Sequence, residues 1–360
     1  MNKKIITWIL SLLVLFAVVL FATALYFGQF SDTQARATSL PSAQLESNEG
    51  SFTTNEITAA SEVSSKNPSV VSKSAEAKQA VMDADLATMD AYGLYYDYAN
   101  MSLSQVVQAY LDEFGIDHSQ VAFSYKNPAT GELIEMNETQ AMTAGSTYKL
   151  PLNMMVVDDF KKLNLSMTER YDITNTYYEY DGEHNNYVAA FGGAMTIPEM
   201  QEYSLVYSEN TPAYALADRL GGMDEVYKMY GRYGESKGEI KTISQENRTT
   251  TNYYIQVLQH LWDKKEKYKD IRYYIGVSFP GEYYKKYLPD LHIEQKPGYV
   301  NEALNVDAIV YEETPYLIAL YTAGLGGTTT ESTEISGVGL VQVGQLAYVI
   351  NEWHRVNMNP

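Results

Sequence analysis

The 360-residue sequence contains no cysteine. Disulfides, thiolate catalysis, cysteine-ligated zinc and lipidation on Cys are therefore excluded. Histidine is also scarce, with five scattered copies, so no His-rich metal site is expected and no cofactor is called for. Basic residues are few against acidic ones: 26 Lys and Arg face 45 Asp and Glu, for a formal charge of −19. Residues 1–91 hold six Lys or Arg and nine Asp or Glu, which leaves −16 on the 269 residues that follow. That balance argues against a nucleic-acid binder, whose phosphate contacts need a basic surface, and against docking on anionic lipid. Between residues 31 and 91 aromatics almost vanish, Phe52 being the one present.

Long apolar runs are confined to one place. Ile5 to Gly28 is a 24-residue stretch without charge, preceded by Lys3 and Lys4. As a helix it would extend roughly 36 Å, enough to span a bilayer with the lysines inside. Ala22-Thr23-Ala24 and Ala35-Arg36-Ala37 fit a signal-peptidase pattern, so a cleaved, long signal segment is the rival reading. Either way the bulk of the chain is expected outside the cytoplasm, as a single-pass membrane protein or a secreted one. The Ser-, Thr-, Ala- and Glu-rich stretch that follows reads as a flexible extracellular spacer. The expected organisation is an anchor or signal at 1–30, a linker at 31–90 and a folded domain at 91–360.

In the folded part the tyrosine content rises to 31 of 269 residues. Pairs such as Tyr177-Tyr178, Tyr253-Tyr254, Tyr273-Tyr274 and Tyr283-Tyr284 suit amphipathic packing, with a sugar-stacking groove as the functional alternative. Helical periodicity runs through Leu103–Leu111. Two strand candidates, Gln120–Tyr125 and Glu132–Met136, flank the turn chemistry of Asn127-Pro128-Ala129-Thr130-Gly131. Further helices are predicted from about Thr147 to Lys162, as a pair within Met195–Leu220, over Thr251–Lys264 and over Val338–Trp353. Asp307–Tyr311 and Tyr316–Tyr321 form a second hairpin around Glu312-Glu313-Thr314-Pro315. The two hairpins are expected to join one antiparallel sheet, bringing the two ends of the domain together.

Three short motifs carry chemistry. Ser146-Thr147-Tyr148-Lys149 opens an apolar helix, and Ser and Lys three apart share one face there. A serine hydroxyl needs a base to become a nucleophile, and a lysine serves only if burial or a second cation lowers its pKa. Taken alone, the motif is equally a serine cap with a surface lysine. Ser208-Glu209-Asn210 opens a second helix 62 residues on, and Lys296-Pro297-Gly298-Tyr299 lies 88 residues beyond that, on a strand candidate. Alone, the second reads as a helix cap and the third as a turn.

In this order the three resemble the Ser-x-x-Lys, Ser-Asp-Asn and Lys-Thr-Gly motifs of the class A β-lactamase and penicillin-binding-protein-like serine hydrolases. Gly192–Met200, Ala213–Gly222, Arg248-Thr249-Thr250-Thr251 and the closing hairpin and helix resemble the family's segments as well. The resemblance implies an α+β, β-lactamase-like fold: a five-stranded antiparallel sheet flanked by helices, plus an all-helical subdomain. It implies that Ser146 is acylated, that Lys149 is its base and that Ser208 relays a proton. Asn210 would hold a substrate amide and order Lys149. Lys296 would supply positive charge beside Ser208 and help keep Lys149 neutral. The N–H groups of Ser146 and Tyr299, with Gly298 before the latter, would form the oxyanion hole. The partner implied is a small molecule or a cell-wall peptide bound by a monomeric domain, with no nucleic acid and membrane contact only through the N-terminal helix.

The sequence departs from the family pattern at three points. Glu209 stands for Asp, so its supporting bonds must be rearranged. Pro297 stands for Thr and removes a hydroxyl that would meet a substrate carboxylate. Between Gly222 and Arg248 there is no Glu-x-x-x-Asn, the pattern that carries the deacylating base; Glu235, Glu239 and Glu246 are present, with Glu235 the best placed. The expectation is a serine hydrolase or acyltransferase acting on a cell-wall-type amide or ester, with weak or no β-lactam turnover. The alternatives are a hydrolytic class A β-lactamase and a silent wall-binding module.

Overall fold

Ser74 starts the first element of the structure, a computed structural model that describes residues 73–178, 180–326 and 335–358. Its side chain accepts the Ala77 N–H and opens α1 (Ala75–Tyr92), which Gly93 ends in the left-handed conformation. Met82 and Met89 bury against the body of the protein. The 31–90 segment predicted as linker therefore overlaps a packed helix from Ala75 on. Only two buried residues in eighteen mark its inner face, too few for an apolar period to show in the sequence. The predicted anchor at 1–30 and the spacer residues 31–72 lie outside the described residues. Among the described residues no helix is long and apolar enough to cross a membrane.

The helix α2 (Leu103–Glu113) begins at a capping box between Ser102 and Gln105. Strands β1 (Val121–Lys126) and β2 (Leu133–Met136) follow as a hairpin. Asn127 makes its turn, accepting the N–H groups of Ala129 at 2.9 Å and Thr130 at 3.3 Å. After β3 (Met142–Thr143) comes a 3₁₀ turn, Gly145–Tyr148, and then α3 (Lys149–Asp159). The middle of the chain holds β4 (Arg170–Asp172), α4 (Asp181–Ala190), β5 (Ala194–Thr196), α5 (Ile197–Val206), α6 (Asn210–Arg219) and α7 (Met223–Met229). Pro198 sits in the first turn of α5, behind a Thr196–Glu199 capping box.

Next come β6 (Arg248–Thr249), paired with β3, then α8 (Thr251–Asp263) and α9 (Lys269–Val277). Strands β7 (Ile293–Val300), β8 (Ala303–Val310) and β9 (Tyr316–Thr322) lead to α10 (Gly337–Asn357). The two predicted hairpins do share one sheet. Its order is β2-β1-β9-β8-β7, with every described pair antiparallel.

Strand periodicity sorts the sheet into two cores. On β9, Tyr316, Ile318 and Leu320 face α1, α2 and α10, while Leu317, Ala319 and Tyr321 face α3, α5, α6, α8 and α9. Both faces are thus covered, and β9, central in the sheet, is buried along its whole length. The edge strand β7 is left beside the 3₁₀ turn that carries Ser146.

Candidate active site

The turn Gly145–Tyr148 is held from below. Asn305 on β8 donates to Thr143 O at 2.6 Å and to Ala144 O at 3.1 Å. Thr147 donates to Ala144 O at 2.9 Å and lies within hydrogen-bond distance of the Tyr254 and Tyr321 hydroxyls, at 2.9 and 2.8 Å. Side chains three apart eclipse in a 3₁₀ helix, so this turn sets Ser146 and Lys149 on one face more closely than an α-helix would. Ser146 is half-buried, while Lys149 is fully enclosed. The predicted α-helix from Thr147 therefore begins as 3₁₀ and becomes α at Lys149.

The second motif comes between α5 and α6. Ser208 has φ of +63°, a left-handed backbone that non-glycine residues seldom adopt. In that conformation its carbonyl accepts a hydrogen bond from Lys149 Nζ, and its Oγ lies 2.8 Å from Lys296 Nζ. Lys149 Nζ also donates to Asn210 Oδ1 at 2.8 Å. Lys296 is fully enclosed and makes a second bond to Pro297 O at 2.9 Å. Burial first, then the charge of Lys149, holds the Lys296 ammonium well below the usual lysine range, with Asp307 opposing. Two ammonium groups in one dry site disfavour each other, so the pair is poised to lose a proton.

The third motif is on β7, not in a turn. Pro297 fits there because an edge strand leaves alternate N–H groups unused by the sheet. Gly298 is required by close approach: a Cβ on it would lie 2.6 Å from Ala144 O and 2.7 Å from Thr147 Cγ2. Gly145, at φ +60°, meets the other side of the same contact, its added Cβ falling 3.0 Å from Tyr299 N. The two glycines let β7 lie against the turn, bringing the backbones of residues 144–147 and 298–299 together. Ser146, Lys149, Ser208, Asn210, Lys296, Gly298 and Tyr299, three motifs far apart in sequence, are thus neighbours in one site.

Several other residues fall elsewhere. Glu235, Glu239 and Glu246 are exposed, and the Glu235 backbone is tied to Gln256. His184 is buried and stacks on Tyr178 with ring centroids 4.1 Å apart. Among the tyrosine pairs, Tyr253-Tyr254 and Tyr283-Tyr284 are core, as packing predicts, whereas Tyr177 and Tyr178 are exposed.

Two groups that the motifs did not single out support the site. Asp307 pairs across from Lys296 in the β7–β8 register and is fully buried. Burial pushes its carboxyl well above the usual range, and its Oδ2 lies 3.0 Å from the Tyr321 hydroxyl. Glu183, on α4, accepts the N–H groups of Asn210 at 2.7 Å and Thr211 at 2.8 Å. The one advance signal for Asp307 was its place on a predicted strand; for Glu183 the sequence offered none.

The model of the beta-lactamase enzyme family matches residues 102–348. The chain belongs to this family. Among solved structures it resembles the TLA-1 extended-spectrum beta-lactamase, with a TM-score of 0.56 and 18% identity over 70% of this chain and 97% of that one. A beta-lactamase from Xanthomonas campestris pv. campestris gives 0.55 and 18% over 68% and 97%. An ancestral class A beta-lactamase gives 0.54 and 17% over 69% and 99%. At those identities the likeness is one of fold, and it agrees with the α+β fold expected from the motifs. No curated protein sequence matches the chain. Membership places the chain among the β-lactamase-like serine hydrolases. It also turns the Glu209 and Pro297 departures into substitutions within a family frame.

Proposed function

We propose that the protein is a serine acyl-hydrolase or acyltransferase, acylated at Ser146, that acts on a cell-wall-type amide or ester outside the cytoplasm. The observation that carries this reading is the convergence on Ser208 and Asn210. Lys149 Nζ bonds to Ser208 O and Asn210 Oδ1, while Lys296 Nζ bonds to Ser208 Oγ. In a neutral amine the two bonds from Lys149 use its two N–H groups, and the lone pair is then the proton acceptor. Ser146 Oγ forms a bond to the acyl carbon as its proton passes to Lys149. The C–N or C–O bond of the substrate then breaks, and the leaving group takes a proton through Ser208. The N–H groups of Ser146 and Tyr299 would meet the developing oxyanion, a donor pair whose loss costs about 2.7–4 kcal/mol per member.

Deacylation is slow in this reading, because the exposed positions of Glu235, Glu239 and Glu246 favour solvated loop roles. A fluorophosphonate probe and a fluorescent penicillin test the proposal. Wild type should take label from at least one, and Ser146→Ala should take none. Absence of label from both probes on wild type sinks it. Nitrocefin turnover through many cycles would move the protein to the hydrolytic β-lactamase reading.

A further inference from the structure

Asn210 is the first residue of α6, and Glu209 is its N-cap. An N-cap side chain normally accepts the N–H of the second or third helical residue, and Ser, Thr, Asp and Asn have the reach for it. Glu is a methylene longer, and the Glu209 side chain makes no such bond. The first turn of a helix has N–H groups that need acceptors. Here Glu183 supplies one from 27 residues upstream, its Oε1 taking both Asn210 N–H at 2.7 Å and Thr211 N–H at 2.8 Å. The Glu209 carboxyl lies instead beside Tyr187, one turn beyond Glu183 on α4. The two carboxylates have exchanged places: the resident one leaves the cap and a visiting one fills it.

What is capped is not an ordinary helix end. Asn210 is the residue whose Oδ1 accepts from Lys149 Nζ at 2.8 Å, and Ser208 lies two residues before it. We infer that Glu183 is a positioning residue of this site: it provides the cap that Glu209 is too long to provide, and so fixes Asn210 and, through it, Lys149. The effect on acylation rests on the acyl-serine reading above; the cap itself does not.

The compensation predicts a second-site rescue. Four full-length variants are compared with wild type: Glu183→Ala, Glu183→Gln, Glu209→Asp and the double Glu183→Ala/Glu209→Asp. Two quantities are read, the rate of labelling by a fluorescent penicillin and hydrogen exchange in peptides covering residues 210–211. Exchange across α8 serves as the folding control. Glu183→Ala should lower labelling roughly tenfold, the scale of a lost cap, and expose the 210–211 amides. Glu183→Gln keeps an oxygen acceptor and should stay within about threefold of wild type. The double variant should recover labelling and the protection of the Thr211 amide, because Asp at 209 reaches the second residue of its own helix, a rescue that a merely bulk-packing role for Glu183 would not show. Unchanged protection and labelling in Glu183→Ala, or no recovery in the double variant, overturns the inference. If wild type takes no label, the acyl-serine reading has failed, and the exchange and rescue at 210–211 alone decide the cap.

Discussion

Ser208 is the residue on which both lysines of the site converge, one on its carbonyl and one on its hydroxyl. Its left-handed backbone makes that double contact possible. Removing Lys149 with Lys149→Ala should therefore slow labelling by about 10²–10⁴, the usual weight of a general base, and stopped-flow labelling measures it. Gly298→Ala tests the packing of β7 on the turn. Its new methyl meets backbone and Thr147, so the strand must move outward. Displacements of that kind cost roughly 10- to 100-fold in rate, and labelling should fall accordingly while the protein stays folded. The motif residues were legible in sequence because chemistry fixes their types and spacing. Asp307 and Glu183 were not, because each acts through a partner on another element, Lys296 by strand register and Asn210 by a helix-to-helix cap.

At the scale of elements, α1 and α10 meet through buried charge. Asp85 on α1 lies 2.7 Å from the Arg355 guanidinium, and Glu352, only 1% exposed, lies 3.7 Å from the same group. Burial first, then Asp85, pushes the Glu352 carboxyl up to about 8, with Arg355 opposing and Glu312 adding. A carboxyl raised in the folded state stabilises most below its unfolded pKa of about 4.3, and the contribution is lost as pH rises through the folded value. The melting temperature should therefore drop between about pH 5 and 8, and Glu352→Gln should flatten the drop. Calorimetry across that range checks it; an unchanged slope in the variant contradicts the assignment. The α1 helix escaped sequence reading because its inner face is two methionines and a charged contact, not an apolar stripe. The hairpins, by contrast, announced themselves through alternation and turn residues, and their pairing into one sheet followed.

Over the whole molecule the charge is −19, yet the site gathers Lys149 and Lys296. The general field repels an anionic substrate, and the charge left on the lysine pair attracts it. The Debye length shrinks from about 30 Å at 0.01 M salt to about 8 Å at 0.15 M, which screens the distant charge more than buried lysines. Labelling by an anionic penicillin should therefore accelerate with salt relative to a neutral ester probe. A slowing would mean that the lysine field dominates beyond the cleft. The fold class was legible at this scale because three motifs in order carried the family resemblance and the two hairpins implied one sheet. Which side chains would support them was not, since that depends on packing across both cores.

Mass spectrometry of the intact protein after incubation with penicillin tests the central claim most directly. The account predicts one covalent adduct per chain, carried by the peptide containing Ser146, persisting for minutes and absent from Ser146→Ala. No adduct on wild type, or an adduct that survives in Ser146→Ala, would contradict it.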